Sequence, residues 1–211
     1  MVDRNDTSGM AEGRYQAGSN ESVLENKLGI SSADKMEFVE YEALLSLQTQ
    51  LVDEIAVDQP ITIELLLDWH TRWLGDIYAW AGNYRSVNMA KGDFHFAVAH
   101  LVYGLMKEFE TKVLANYTPC DELNQSDLIT ALAITHVEFI LIHPFRDGNG
   151  RLGRLLSIIM ALQAGWPILE FSVIENDKQS YFNAIQAGLD LNYEPMKALM
   201  ASVLESSSQE G

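Results

Sequence analysis

The sequence predicts an all-α domain with one β-hairpin projecting from it. Three observations carry that expectation. Apolar residues recur at helical spacing from Ser32 almost to the C-terminus. Strand-like alternation is confined to one stretch around Lys91-Gly92-Asp93, bounded by turn residues. Two neighbouring segments, 127–142 and 150–164, are very apolar, as a central helix pair at the core requires.

Residues 1–22 are polar and rich in Gly, Ser and Asn, the composition of a flexible arm or a loosely docked lead-in. Ser32 then caps a helix whose apolar positions are Met36, Val39, Leu44, Leu47 and Leu51, and Pro60 breaks it. A second helix is expected over Thr62–Trp80, with Glu64 in its first turns and Gly82 after its end. The hairpin follows, at about Val87 to Val98. Further helices are read at "AVAHLVYGLMKEFETKVLA", "SDLITALAITHVEFILIH", "GRLGRLLSIIMALQAG", "DKQSYFNAIQAGL" and "EPMKALMASVLES", with a tail over 206–211.

Composition narrows the function. At 211 residues, 47% hydrophobic and 21% charged, the chain suits one soluble domain with a sizeable core. Its net charge of −16 disfavours nucleic acid, whose binding rests on Lys and Arg neutralising phosphates, and disfavours an anionic membrane surface. Cys120 is the only cysteine, so neither an internal disulfide nor a cysteine-based metal site is available. The N-terminus has no apolar stretch of signal-peptide length, and the longest charge-free run, Leu155–Leu169, is broken by Gly165 and Pro167. A cytoplasmic protein is expected.

Against this acidic background "HPFRDGNGRLGR", His143 to Arg154, reverses the local charge. His143 ends one apolar helix and Pro144 stops it. The glycines allow backbone N–H groups to converge on one point, and the next helix, starting near Asn149 or Gly150, adds its free N–H groups and positive dipole end. Arg151 and Arg154 are three apart and share a face beside that nest. The pattern fits a phosphate site, with Asp147 placed to hold Mg²⁺ alongside phosphates and His143 available as a general base. A calcium-binding EF-hand is excluded because Arg151 and Ile158 fall where acidic ligands would be needed, and a Walker A loop because no Gly-Lys-Ser/Thr is present. A Gly-rich interhelix turn with surface arginines is the plain alternative. A DNA-binding helix–turn–helix is disfavoured by the acidic balance.

The same twelve residues resemble the signature of the Fic family, H-x-F-x-[DE]-G-N-[GK]-R-x-x-R, at every specified position. "YQAGSNESVLENKLGI" is similar to the lead-in of many bacterial Fic proteins, and "HTRWLGDIYAWAGNYRSVNMAKGDFHFA" to the family's upstream helix and flap hairpin. The resemblance implies a Fic domain over 23–205 with an all-α fold and a projecting flap. It implies an enzyme, a protein adenylyltransferase moving AMP from ATP to a Ser, Thr or Tyr hydroxyl of a target protein. His143 would be the base, Asp147 would hold Mg²⁺, and Gly148, Asn149, Gly150, Arg151 and Arg154 would bind the nucleotide. The flap, with Lys91, Gly92, Asp93, Phe94, His95 and Phe96, would clamp a segment of the target; the two phenylalanines equally suit anchoring the hairpin on the helices. Other readings of the same fold are a different phosphoryl or nucleotidyl transfer, removal of AMP, or a non-catalytic binding module.

Fic proteins are often restrained by a glutamate in the pattern [ST]-x-x-x-E-[GN] that pairs with the second motif arginine. "SGMAEG" and "SSSQEG" match it and make Glu12 and Glu210 candidate inhibitory residues. An antitoxin supplying the glutamate in trans, as in a toxin–antitoxin pair, is the alternative. His136 reads as a core histidine. His70, His95 and His100 lack metal-binding spacing, and the four tryptophans read as core.

Overall fold

The computed structural model describes residues 11–209 of the chain. The architecture is helical: α1 Ala33–Glu54, α2 Ile63–Leu74, β1 Ala90–Lys91, β2 Phe94–His95, α3 Val102–Phe109, α4 Ala115–Tyr117, α5 Gln125–Ile142, α6 Asn149–Gln163, α7 Ser172–Asn176, α8 Lys178–Ala187 and α9 Glu194–Gln209. A π-helical turn, Glu110–Leu114, joins α3 to α4 without a break. α5 lies at the centre, packed by α6, α9, α3 and α8. It is long and apolar enough to cross a membrane, and 56% of it is buried inside the molecule.

Local chemistry explains the element ends. Ser32, Thr62 and Asn124 each have extended backbone and accept an N–H from the first turn of α1, α2 and α5 respectively. Met36, Leu47 and Leu51 are the buried stripe of α1, in register with a buried carboxylate, Glu40.

Three expectations need correction. The second helix stops at Leu74, not Trp80. Lys27 donates its backbone N–H to Ile77 O and its ammonium to Gly75 O, so those carbonyls find partners outside a helix. Of the two readings of the N-terminal segment, the described residues 11–22 follow the docked lead-in and not the flexible arm: Glu12 and Ser19 are buried, and a Tyr15–Leu24 bridge closes the segment. The expected tail from 206 is still α9 through Gln209, with Ser206, Ser207 and Ser208 hydroxyls donating to carbonyls of the preceding turn.

The hairpin forms where expected. Ala90 pairs with His95 and Lys91 with Phe94 across a two-residue turn, in which Gly92 takes a φ of +58° that a primed hairpin turn demands.

Candidate active site

The turn from His143 to Gly148 is fixed from three sides. Asn149, 2% exposed, accepts the Phe145 N–H and donates back to the Phe145 carbonyl, both at 2.8 Å. His70, fully buried, accepts the Gly82 N–H at Nδ1 (2.8 Å), so Nε2 carries its proton and donates to the Asp147 carbonyl at 3.1 Å. Its ring stacks on Phe145 at 3.9 Å, and burial pushes its pKa down to about 4. Gly148 has a φ of +82°, and a side chain there would run into the Trp73 ring at 2.6 Å. No other residue type fits position 148.

This turn delivers the N-terminus of α6 to a cavity of about 620 Å³. His143, Asp147, Gly148, Asn149, Gly150, Arg151 and Arg154 all line it. So do Lys91, Phe94 and Phe96 of the hairpin and residues of α7 and α8. Gly92, Asp93 and His95 sit on the exposed side of the hairpin. A cavity of this size suits a nucleotide-sized ligand.

His143 ends α5 in the left-handed region, φ 51° and ψ 61°. Its Nδ1 lies 3.2 Å from the Ile140 carbonyl. A carbonyl only accepts, so Nδ1 carries the proton and Nε2 the lone pair. The Phe96 ring stacks on the imidazole at 3.7 Å. Burial first, then the positive charges of Arg85 and Lys91, lower the His143 pKa to about 4 against the opposing pull of Ile140 O and Asp147. The imidazole is neutral across the physiological range and ready to accept a proton.

Both motif arginines are already paired. Arg151 meets Glu40 at 2.6 Å and lies over the Trp73 ring. Glu40 also accepts the Tyr78 hydroxyl at 2.5 Å, and its backbone carbonyl takes the Trp73 indole N–H. Burial and then Glu40 raise the Tyr78 pKa, keeping that proton in place. Arg154 meets Glu175 of α7 at 2.6 Å.

The structure does not bring Glu12 to Arg154. The Glu12 carboxylate accepts from the Ser86 N–H at 2.8 Å and from the Ser86 hydroxyl, and its backbone carbonyl accepts from Arg146 Nε at 2.7 Å. Glu210 lies outside the described residues. The side chain of Asn149 is used up in shaping the loop, so a ligand meets its backbone only.

Among the described residues no three His, Cys, Asp or Glu side chains gather as a metal site. Asp147, its side chain 47% exposed, has one oxygen that accepts the Gly148 N–H at 2.6 Å and lies 3.7 Å from Arg151 Nη2. That donor set fits a cation such as Mg²⁺, which typically takes one or two carboxylates and completes its shell with phosphates and water.

Glu40, His70, Arg85 and Glu175 were missed in the sequence. Only Glu40 left a signal, a carboxylate in phase with an apolar stripe. The other three hold backbone or partners far along the chain, which spacing does not reveal.

Fold and site together define a helical domain that turns a helix N-terminus and two arginines toward one cavity, beside an imidazole with its lone pair on Nε2. Residues 60–161 match the model of the Fic/DOC family. It is 28% identical over 174 residues to the protein adenylyltransferase Fic of Nematostella vectensis, covering 79% of this chain and 39% of that protein. It is 27% identical over 146 residues to the protein adenylyltransferase VbhT of Bartonella schoenbuchensis, covering 69% and 30%. The chain therefore spans well under half the length of these curated relatives. Its fold is similar to that of the BepC protein of Bartonella tribocorum, solved with bound AMPPNP: TM-score 0.71, 21% identity, 92% of this chain and 97% of that one.

Proposed function

We propose that this chain is a protein adenylyltransferase that transfers AMP from ATP to a hydroxyl side chain of a target protein. One observation carries the reading. A neutral imidazole with its lone pair on Nε2 stands in the same cavity as a helix N-terminus flanked by Arg151 and Arg154. The two relatives, both named protein adenylyltransferases, support it.

In this reading the backbone of Gly148, Asn149 and Gly150 cradles the phosphates, and Arg151, held by Glu40, adds charge. Arg154 leaves the exposed Glu175 carboxylate for the terminal phosphates. The target hydroxyl gives its proton to His143 Nε2 as its oxygen bonds the α-phosphorus. The bond from that phosphorus to the α–β bridging oxygen breaks, and pyrophosphate leaves. Asp147 would hold Mg²⁺, which when bound neutralises charge on the phosphate chain. The hairpin would pair with an extended target segment along its open edge, within reach of His143. We place the activity in the cytoplasm; with Glu12 engaged elsewhere, restraint falls to Glu210 or to a glutamate from a separate antitoxin.

The test is intact-mass analysis of proteins modified in a lysate supplied with ATP. The expected result is a gain of one AMP, absent with His143→Ala. A gain of a single phosphate, or a gain that persists without His143, would overturn the assignment.

A further inference from the structure

Among the described residues Arg85 is the buried Lys or Arg, 2% exposed, and its guanidinium hydrogen-bonds carbonyls. Nη1 donates to Val87 O at 2.7 Å and Nη2 to Ala97 O at 2.5 Å, the two roots of the flap. Nε donates to His143 O at 2.6 Å, and Nη2 also to Ile142 O at 3.2 Å. The Arg85 backbone N–H reaches Pro144 O at 2.9 Å, and Ala97 N–H reaches Leu141 O at 3.3 Å. Five fixed fork donors suit a place where several carbonyls converge, and lysine has neither the number nor the geometry.

Two physical needs meet there. The last carbonyls of α5 have no helical partners and carry the negative end of its dipole, which a cation satisfies. His143 is a non-glycine residue in left-handed backbone, a conformation that persists only where its surroundings over-determine it. A buried guanidinium is itself costly, and burial lowers its pKa, while the nearby Glu12 opposes that shift. Glu12 does more than balance charge: its carboxylate holds Ser86, next to Arg85, and its carbonyl holds Arg146 of the motif turn.

We propose that Arg85, with Glu12 as its counter-charge, is a positioning residue that binds both roots of the flap to the backbone of His143, so that the base and the target-holding hairpin move as one unit. This deepens the adenylyltransferase reading and rests on it only for the kinetic arm of the test. Glu12 is assigned a role opposite in sign to inhibition: removing its charge loosens the site.

The test compares full-length Arg85→Lys and Glu12→Gln with the unmodified protein. Hydrogen exchange over 87–98 and NMR titration of His143 need no nucleotide, so they report even if the adenylyltransferase reading fails. For Arg85→Lys, flap exchange should rise about tenfold while the centre of α5 stays protected. Lysine keeps the charge, but a loosened flap lifts Phe96 from the imidazole and lets water in, which should raise the His143 midpoint by about one pH unit. Turnover with ATP should fall about tenfold at a KM for ATP changed less than about twofold, because nucleotide and flap are held separately. Conversely, unchanged flap exchange and an unchanged His143 midpoint in a folded Arg85→Lys would overturn the proposal. If Arg85→Lys loses the core, Glu12→Gln decides. Its expected outcome is about threefold faster flap exchange and reduced labelling, whereas unchanged exchange or increased labelling would refute the coupling.

Discussion

The motif turn and the flap face each other across one cavity and are built in opposite ways. The turn is held by a reciprocal amide clamp from Asn149, a buried histidine on Asp147 and a glycine that no other residue replaces. The flap has two residues in each strand, and it is held at its roots by Arg85, at its middle by Phe96 on His143 and near its tip by Lys91 over Phe182. A fixed anion cradle gives preorganisation, and a sparsely paired strand leaves an edge for another chain. The contrast implies that variants in the turn cost stability and nucleotide binding together. Variants in the flap should cost transfer to the target alone.

The largest effect that would break this contrast is at Gly148. Gly148→Val needs φ near +82° and drives its side chain into Trp73, so denaturant unfolding should show a loss of at least about 2 kcal/mol, with ATP binding abolished. A stable, nucleotide-binding variant would mean the turn is not over-determined. Next, Asn149→Ala strands a buried N–H and a buried carbonyl on Phe145. It should cost about 2–3 kcal/mol in the same measurement.

Acid sharpens the comparison. The pKa values of His70, His136 and His143 are all lowered from 6.5 to about 4, mainly by burial. As pH falls below 6.5 the unfolded chain binds these protons first, so stability declines with falling pH from 6.5 down to about 4. Thermal unfolding across that window should show a falling midpoint. Transfer, in contrast, needs His143 neutral in the folded state and should hold until pH approaches about 4.

Smaller effects belong to the flap and to the exposed ion pair. Phe96→Ala should leave stability within about 1 kcal/mol yet lower target labelling about tenfold, with ATP affinity little changed. Glu175→Gln frees Arg154 from a partner whose side chain is 57% exposed, and should tighten ATP binding by no more than about fivefold. Calorimetry of both variants checks the pair.

Much of the turn was legible in the sequence because its constraints are local. A helix-stopping Pro144, the glycines and the two arginines all fall within twelve residues. The long-range pairings that hold the site were not legible, though Glu40 stands in phase with an apolar stripe. Glu40 and Arg151 are 111 positions apart, and Arg85 reaches carbonyls that every residue possesses, so no side-chain pattern marks the pairing. The end of α2 was misread because Ile77 and Tyr78 are buried and continue the apolar pattern beyond it. They pack as a turn tied to Lys27.

The central claim is that His143 serves transfer at the α-phosphorus. It is tested most directly by supplying ATP labelled at either the α- or the γ-phosphate to the protein with a lysate. Covalent label retained from the α-position only, and lost with His143→Ala, is the predicted result. Retention of the γ-label, or of α-label independent of His143, would contradict it.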